Sequence, residues 1–421
     1  MEEKLALFGG KPVRSKPFPP HPIIGDKEKK AALQVLDSGR LSTFIASPGK
    51  HFLGGEKIRE FEDIFAEYHS VEYAVAFNSA TAALHAAVVA CNVEPLKEVV
   101  VPPYTFTSTA TCALMANAIP VFADVKQSTF NIDPKEIEKK ISPLSKAIIP
   151  VHLFGYPADM DEIIEIAKKH NLKVIEDCAQ APGAIYNKKL VGTIGDCGIF
   201  SFTESKTITS GEGGMLITNC EEIAEIARLV RNHGEAVIAG QPRSYKSTIL
   251  GWNYRMTEVD AAIGIEQFKK LDEFNNKRIE LVSYLSRKLK KIDGLTLPVV
   301  PRNFKHVYYA YPIRYNEEKI GILRDLFVKA LNAEGIPFAA GYVRPLYFNP
   351  IFHENRPFIY KYYSGRASYE KGTCPVAESL HEKDLILTLV CRPPATFDDM
   401  DDIVEGIEKV IENKDELRAG K

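Results

Sequence analysis

The chain has 421 residues, 45% hydrophobic and 26% charged, with 53 basic against 55 acidic side chains and a net charge of −2. These values exclude an extended disordered chain, allow a large core and argue against a polyelectrolyte partner, because gripping a nucleic-acid backbone takes a basic face. No window approaches the roughly 18 consecutive apolar residues of a membrane span. The first residues show neither an apolar stretch nor an Arg-rich amphipathic one, so no export signal is read there. Seven cysteines without a Cys-x-x-Cys pair read as reduced thiols, and ten histidines show no metal-binding spacing. The expectation is a cytoplasmic protein with no metal, no nucleic acid and no membrane among its partners.

From residue 58 to 218, helical and extended patterns alternate. Ile58, Phe61, Phe65 and Tyr68 recur at helical spacing, followed by a strand over 71–77 and an Ala-rich helix over 79–90. Strands are predicted at 98–101, 120–125, 147–153 and 173–177, with an amphipathic helix at 161–169 before the last. Two more, at 198–202 and 215–218, bracket a Gly-rich turn. Seven strand-like runs, several nearly all apolar, predict an α/β fold with a mixed, mostly parallel seven-stranded sheet covered by helices on both faces. The short spacing over 198–218 predicts antiparallel pairing there.

Beyond Asn253, residues 258–289 carry many charges and almost no Gly or Pro, which predicts long helices. Residues 295–421 then offer a strand over 307–315, helices at 323–334 and 400–412, and a loop insertion over 356–373. The division expected is a large α/β domain at 1–265, N-terminal arm included, and a smaller α+β domain at 266–421.

Ligands of open α/β sheets sit beyond the carboxyl ends of the strands, and three groups of residues fall there. The first is Asn78 to Ala83, where a strand runs into a helix: small side chains and free amides at a helix start suit an anion such as phosphate, although read alone the motif favours Ser79 or Thr81 as a simple N-cap. The second is Glu176-Asp177-Cys178-Ala179-Gln180. An acid closing a buried strand needs a partner, either a cationic ligand nitrogen or a structural one. The third is Ser201 to Gly214, where Lys206 stands between an aromatic strand and a Gly-rich turn, outside any helical charge pattern. Imine chemistry needs the neutral amine, and partial burial favours it. Taken together in this order, the groups offer a phosphate cradle, a carboxylate for a ring nitrogen and an amine for an aldehyde, the three handles of pyridoxal 5′-phosphate (PLP).

These motifs, with Phe8-Gly-Gly-Lys-Pro12, Val101-Pro-Pro-Tyr-Thr-Phe106, His152-Leu-Phe-Gly155, Arg231-Asn-His-Gly234 and Gly251-Trp-Asn-Tyr-Arg-Met256, resemble the DegT/DnrJ/EryC1/StrS sugar aminotransferases over nearly the whole chain. The resemblance implies a fold-type I PLP enzyme moving an amino group from glutamate or glutamine to a keto group of a sugar nucleotide or a cyclic polyol. It implies that Lys206 holds PLP covalently and shuttles the proton, and that Asp177 keeps the pyridine nitrogen protonated. Gln180 is implied at the ring's 3-oxygen, Phe106 on the ring face, and Ala80, Thr81 and Ser201 at the phosphate. Asn253 is implied to reach the phosphate of a neighbouring subunit, hence a homodimer with active sites at its interface. Taken singly, Phe106 also reads as core, Gln180 and Ser201 as turn residues, and Asn253 as a helix cap.

Three rival readings are weighed. A PLP-dependent sugar dehydratase would carry histidine in place of Lys206, and a non-catalytic regulator would have no need of Lys206, Asp177 and Gln180 together. A nicotinamide enzyme is disfavoured because Gly192, Gly195 and Gly198 lack the Gly-x-Gly-x-x-Gly spacing. Two departures from the commonest family pattern bear on the acceptor: Tyr347 after Pro345-Leu346, where many members carry histidine near the sugar, and an altered strand ending over Leu387–Arg392. The opening over Leu5–Val13 resembles members that act on cyclitol ketones or related biosynthetic precursors.

Overall fold

In the computed structural model, which describes residues 4–44, 53–235, 246–354 and 356–419, the alternation over 58–218 forms one sheet. Its strands are β1 (Tyr73–Phe77), β2 (Glu98–Val101), β3 (Ile119–Phe122), β4 (Ser145–Ile148) and β5 (Lys173–Asp177). A short hairpin, β6 (Ile185–Tyr186) and β7 (Lys189–Leu190), precedes β8 (Cys197–Ser201) and β9 (Gly214–Thr218). The order across the sheet is β1-β9-β8-β5-β4-β2-β3. From β3 to β8 the neighbours run parallel, while β9 is antiparallel to both β8 and β1. The antiparallel pairing expected over 198–218 is present and extends to the β1 edge.

Residue alternation splits the strands between two cores. Val75, Phe77, Val99 and Val101 pack with the helix Ala80–Ala90 and the helix Glu221–Arg231 on one face. Ala74, Ala76, Val100 and Ile148 pack with the helix Glu56–His69 and the helix Glu258–Phe268 on the other. Pro120 lies in the edge strand β3, where a missing N–H is tolerated. Past Ile148 the expected strand thins to single contacts: Val151 bridges Asp177, and the Asp177 N–H donates to the Pro150 carbonyl at 2.9 Å.

A second, antiparallel sheet combines β10 (Leu295–Thr296), β12 (Tyr311–Tyr315), β14 (Leu385–Thr388) and β13 (Ala339–Ala340), in that order, while β11 (Phe304–Lys305) pairs with β6. The strand expected over 307–315 starts only at Tyr311; residues 307–310 cross beside the first sheet's ligand edge instead. The helix Leu271–Leu289 joins the layers, with Leu271 and Phe274 in one core and Leu281, Leu285 and Leu289 in the other.

The start of the N-terminal arm packs against the helices of the smaller sheet, where Leu5 is fully buried, while the helix Asp26–Ser38 packs on the helix Glu258–Phe268. The buried Glu334 carboxylate accepts from the Ala6 and Val13 amides at 2.7 and 3.1 Å, and Arg14 pairs with Asp399 at 2.7 Å. A buried acid needs donors, and the arm supplies them. Among the described residues no helix is long and apolar enough to cross a membrane.

Candidate active site

β5 ends on two consecutive acids, and alternation sends them to opposite faces. Glu176 faces the core behind the sheet. Its carboxylate accepts from the amides of Gly192, Ile194 and Gly195 at 2.8, 2.7 and 2.6 Å and from His152 Nε2 at 3.0 Å. Gly192 and Gly195 of the broken dinucleotide motif thus belong to the loop that clasps Glu176, while Gly198 lies in β8. Cys178 lies close enough for the three side chains to resemble metal ligands, but His152 Nδ1 already accepts from the Ala158 amide at 2.9 Å. Glu176→Ala leaves three buried N–H groups without an acceptor, and a loss of about 3–5 kcal/mol is expected from urea midpoints. A loss under about 1 kcal/mol would show the clasp to be dispensable.

Asp177 faces the ligand edge and is buried. Among the described residues its hydrogen bonds come only from neutral donors, the Thr109 hydroxyl at 2.8 Å and the Ala179 amide at 3.1 Å. Burial is the largest influence on its pKa and raises it above the ordinary carboxylate value, against those hydrogen bonds and the charge of Lys206. Three residues on, Gln180 is also buried. Its Oε1 accepts from the Phe154 amide at 2.7 Å and its Nε2 donates to the Tyr342 hydroxyl at 2.9 Å.

Lys206 sits in the loop between β8 and β9. The loop folds back on β8: the Thr209 hydroxyl and the Ser210 amide both donate to the Phe202 carbonyl at 2.9 Å. Gly211, at φ +90°, takes the left-handed turn that returns the chain to β9. The Lys206 amide donates to the Thr203 carbonyl and its carbonyl accepts from His21 Nε2, each at 2.9 Å. The half-buried side chain places Nζ 4.7 Å from the centre of the Tyr309 ring. No hydrogen bond or ion pair within the described residues occupies that amine.

The helix Ala80–Ala90 starts at the same edge. Ser79 caps it, accepting from the Ala82 amide at 3.1 Å, and leaves the amides of Ala80 and Thr81 without a partner among the described residues. Gly214 lies directly against this start: a Cβ there would come within 2.5 Å of the Ala80 nitrogen. Ser201, opposite Gly214 in the β8–β9 ladder, has no side-chain partner among the described residues. Phe106, beyond the end of β2, is 58% exposed, so its reading as a core residue is wrong. Asn253 is exposed; its backbone carbonyl accepts from the Asn78 side chain at 3.5 Å, which holds it near the same helix start.

The sequence reading missed Thr109, His21, Tyr309 and Tyr342, which reach the site from a helix, the arm and the smaller unit. His21 had a weak signal, in a proline-rich stretch just before the first helix. Tyr309 and Tyr342 had none, since only the fold brings them to β5 and β8. Tyr347 is corrected: it is fully buried beside Phe122 and its hydroxyl donates to Glu378 at 2.5 Å, so it faces the core and not a substrate.

The residues fit PLP on three counts. Among the described residues Asp177 is a buried acid with neutral donors only, the helix start carries two free amides, and the Lys206 amine has no hydrogen-bond or ion-pair partner. The profile of the DegT/DnrJ/EryC1/StrS aminotransferase family matches residues 25–408. The chain is 40% identical to a GDP-perosamine synthase of Caulobacter vibrioides, covering 75% of this chain and 81% of that protein. It is 36% identical to a putative L-glutamine:3-amino-2,3-dideoxy-scyllo-inosose aminotransferase of Streptoalloteichus tenebrarius, covering 99% and 100%. The crystal structure of an aminotransferase from Psychrobacter cryohalolentis superposes with a TM-score of 0.83 at 32% identity, covering 94% and 99%. The chain therefore belongs to the DegT/DnrJ/EryC1/StrS family and is a PLP-dependent aminotransferase of the fold-type I class.

Proposed function

We propose that this enzyme transfers an amino group from glutamate or glutamine to the keto group of a sugar nucleotide or a related cyclic polyol. The observation that carries the reading is the free Lys206 amine set at one strand-sheet edge with Asp177 and an uncapped pair of helix amides. When bound, PLP supplies an aldehyde that condenses with amines and a ring that withdraws electrons. Lys206 would hold it covalently and, when free, its Nζ would take the proton from the donor's Cα. Asp177 would favour the protonated form of the ring nitrogen. Ala80, Thr81 and Ser201 would hold the phosphate, and Phe106 and Gln180, its carboxamide oriented by Phe154 and Tyr342, would hold the ring. His21 and Tyr309 hold the lysine's backbone and side chain in place.

We propose further that the enzyme is a cytoplasmic homodimer in which Asn253 reaches the partner's phosphate. A cavity of about 470 Å³ lined by Pro22, Ile24, Ala32, Thr203, Gly211 and Ile263 borders the Lys206 loop, and Leu33, Leu36 and Leu41 are exposed nearby in sequence. Apolar surface of this kind suits a subunit contact. Seven free cysteines suit a reducing compartment.

The test starts from enzyme fully converted by glutamate to its amino form and freed of excess donor. It is then offered a panel of nucleotide keto-sugars and inososes while the visible band of the cofactor is followed. The band should return with at least one member of the panel. Return with simple 2-oxo acids alone would exclude the polyhydroxy acceptor.

A further inference from the structure

The turn that meets Gln180 is strained. Phe154 sits at φ +59° and ψ 7°, a left-handed conformation that a bulky side chain rarely takes. Its neighbours hold it there. The Leu153 amide donates to Asn131 Oδ1 at 2.8 Å, and the Gly155 carbonyl accepts from the Val307 amide at 3.1 Å. The fully buried Phe154 ring meets Phe130 and Tyr342 edge to face, with centres 5.7 and 5.1 Å apart. Strain of this kind persists where the surrounding structure over-determines a turn, and it gathers at functional sites. Here the turn delivers the Phe154 N–H to Gln180 at 2.7 Å.

That single donor decides how the carboxamide lies. A backbone N–H can only donate, so the side of Gln180 that meets it is Oε1 and the other side is Nε2. Nε2 carries two hydrogens, gives one to the Tyr342 hydroxyl at 2.9 Å and keeps one. The amide is thus pinned at both ends, with one N–H left to offer a ligand.

Tyr342 is tied to both sheets. Before it, Gly341 at φ +74° donates its amide to the Leu385 carbonyl in β14 at 2.8 Å. The Tyr342 amide donates to the hydroxyl of the fully buried Tyr104, just beyond β2, at 2.8 Å. Burial first, then Tyr309 and Asp177, raise the Tyr342 phenol above its ordinary value, against the hydrogen bond from Gln180. It therefore meets Gln180 as a neutral hydroxyl.

We propose that Tyr342 is a positioning residue through which the smaller unit sets the charge state of the bound cofactor, acting on the ring only by fixing Gln180, whose remaining N–H serves the ring's 3-oxygen. This rests on Gln180 holding the ring in the proposed function. A donor at that oxygen stabilises its negative charge and competes with the proton carried by the nitrogen that Lys206 contributes, so that proton is lost at lower pH. The visible band of the cofactor reports the same proton.

The test compares wild-type, Tyr342→Phe, Gln180→Ala and doubly substituted holoenzymes, with near-ultraviolet circular dichroism as the check on folding. Tyr342→Phe keeps the ring on Phe154 and the backbone bond to Tyr104, and removes only the oxygen that Nε2 meets. Each protein is titrated without donor or acceptor, and the pH midpoint of the visible band is read. Asp177 and Lys206 are present in all four and cannot produce a difference among them. Gln180→Ala should raise the midpoint by about one unit, the scale of one hydrogen bond to a charged group. Tyr342→Phe should raise it by roughly half as much or more, and the double variant should match Gln180→Ala to within about 0.3 unit.

A Tyr342→Phe midpoint equal to that of the wild type overturns the proposal. So does a shift that adds to that of Gln180→Ala, which would place the hydroxyl on the ligand directly. An unmoved midpoint in Gln180→Ala is a different failure: it removes Gln180 from the ring, and the proposal goes with the contact on which it rests.

Discussion

Replacing Lys206 by alanine is expected to abolish the visible band of covalently held cofactor and to lower transamination by roughly four orders of magnitude or more, because attachment and proton transfer are lost together. The fold should survive. The loop is held by the Lys206 backbone, through Thr203 and His21, and by the bonds of Thr209 and Ser210 to Phe202, none of which involves Nζ. Among the described residues the amine's direct contact is the Tyr309 ring, and such a contact at a half-exposed site is worth about 0.5–1 kcal/mol. Urea midpoints should therefore move little while the band disappears. Borohydride reduction followed by peptide mapping checks the assignment, and cofactor trapped on another lysine would reject it. Mixing this variant with Asn253→Ala also tests the shared site. If each is inactive alone, a mixed dimer regains one intact site, and a mixture that stays inactive removes support for Asn253 acting across the interface.

Asp177→Asn should retain cofactor yet slow removal of the donor's α-proton by roughly 10²- to 10³-fold or more, the scale on which a single preorganised electrostatic contact acts. The substitution keeps the shape of the site. An asparagine oxygen can still accept from the Ala179 amide, and the Thr109 hydroxyl can turn to accept from the new amide group. Only the charge is removed. Washout of deuterium from the donor's α-carbon measures the step without any acceptor, and wild-type exchange would exclude Asp177 as the ring's counter-charge.

A second readout follows from linkage. The folded pKa of Asp177 is raised, so above its ordinary value the ionised group opposes folding, and its contribution is favourable only at lower pH. Removing that charge should leave the cofactor-free protein at least as stable near neutrality. The same buried charge that costs the empty fold stability is what a cationic ring would relieve.

Periodicity was enough to find the seven-stranded sheet, because parallel strands buried on both faces are nearly pure apolar runs and their helices are amphipathic. It failed at Val307–Tyr315, where an apolar run crosses the ligand edge before it joins a strand. It also failed for the arm, whose attachment depends on Glu334, more than three hundred residues away.

Lys206, Asp177 and the helix start at Ala80 were visible because each stands at a strand end, a place that local pattern marks. Glu176 and Asp177 were equal by local pattern, with only the resemblance favouring Asp177, and the sheet's two faces separate the acid that clasps a loop from the one at the ligand edge. Tyr347 shows the reverse error, a substitution that seemed to concern substrate and instead fills the core against Phe122 and Glu378.

Chain order alone was therefore sufficient for the class of chemistry, since a lysine, an acid and an amide-rich helix start follow one another on successive elements of a single sheet. The surroundings of that lysine needed the folded molecule. His21, Tyr309 and Tyr342 come from the arm and the smaller unit, and no local periodicity encodes a contact that exists only once two separately formed layers pack together.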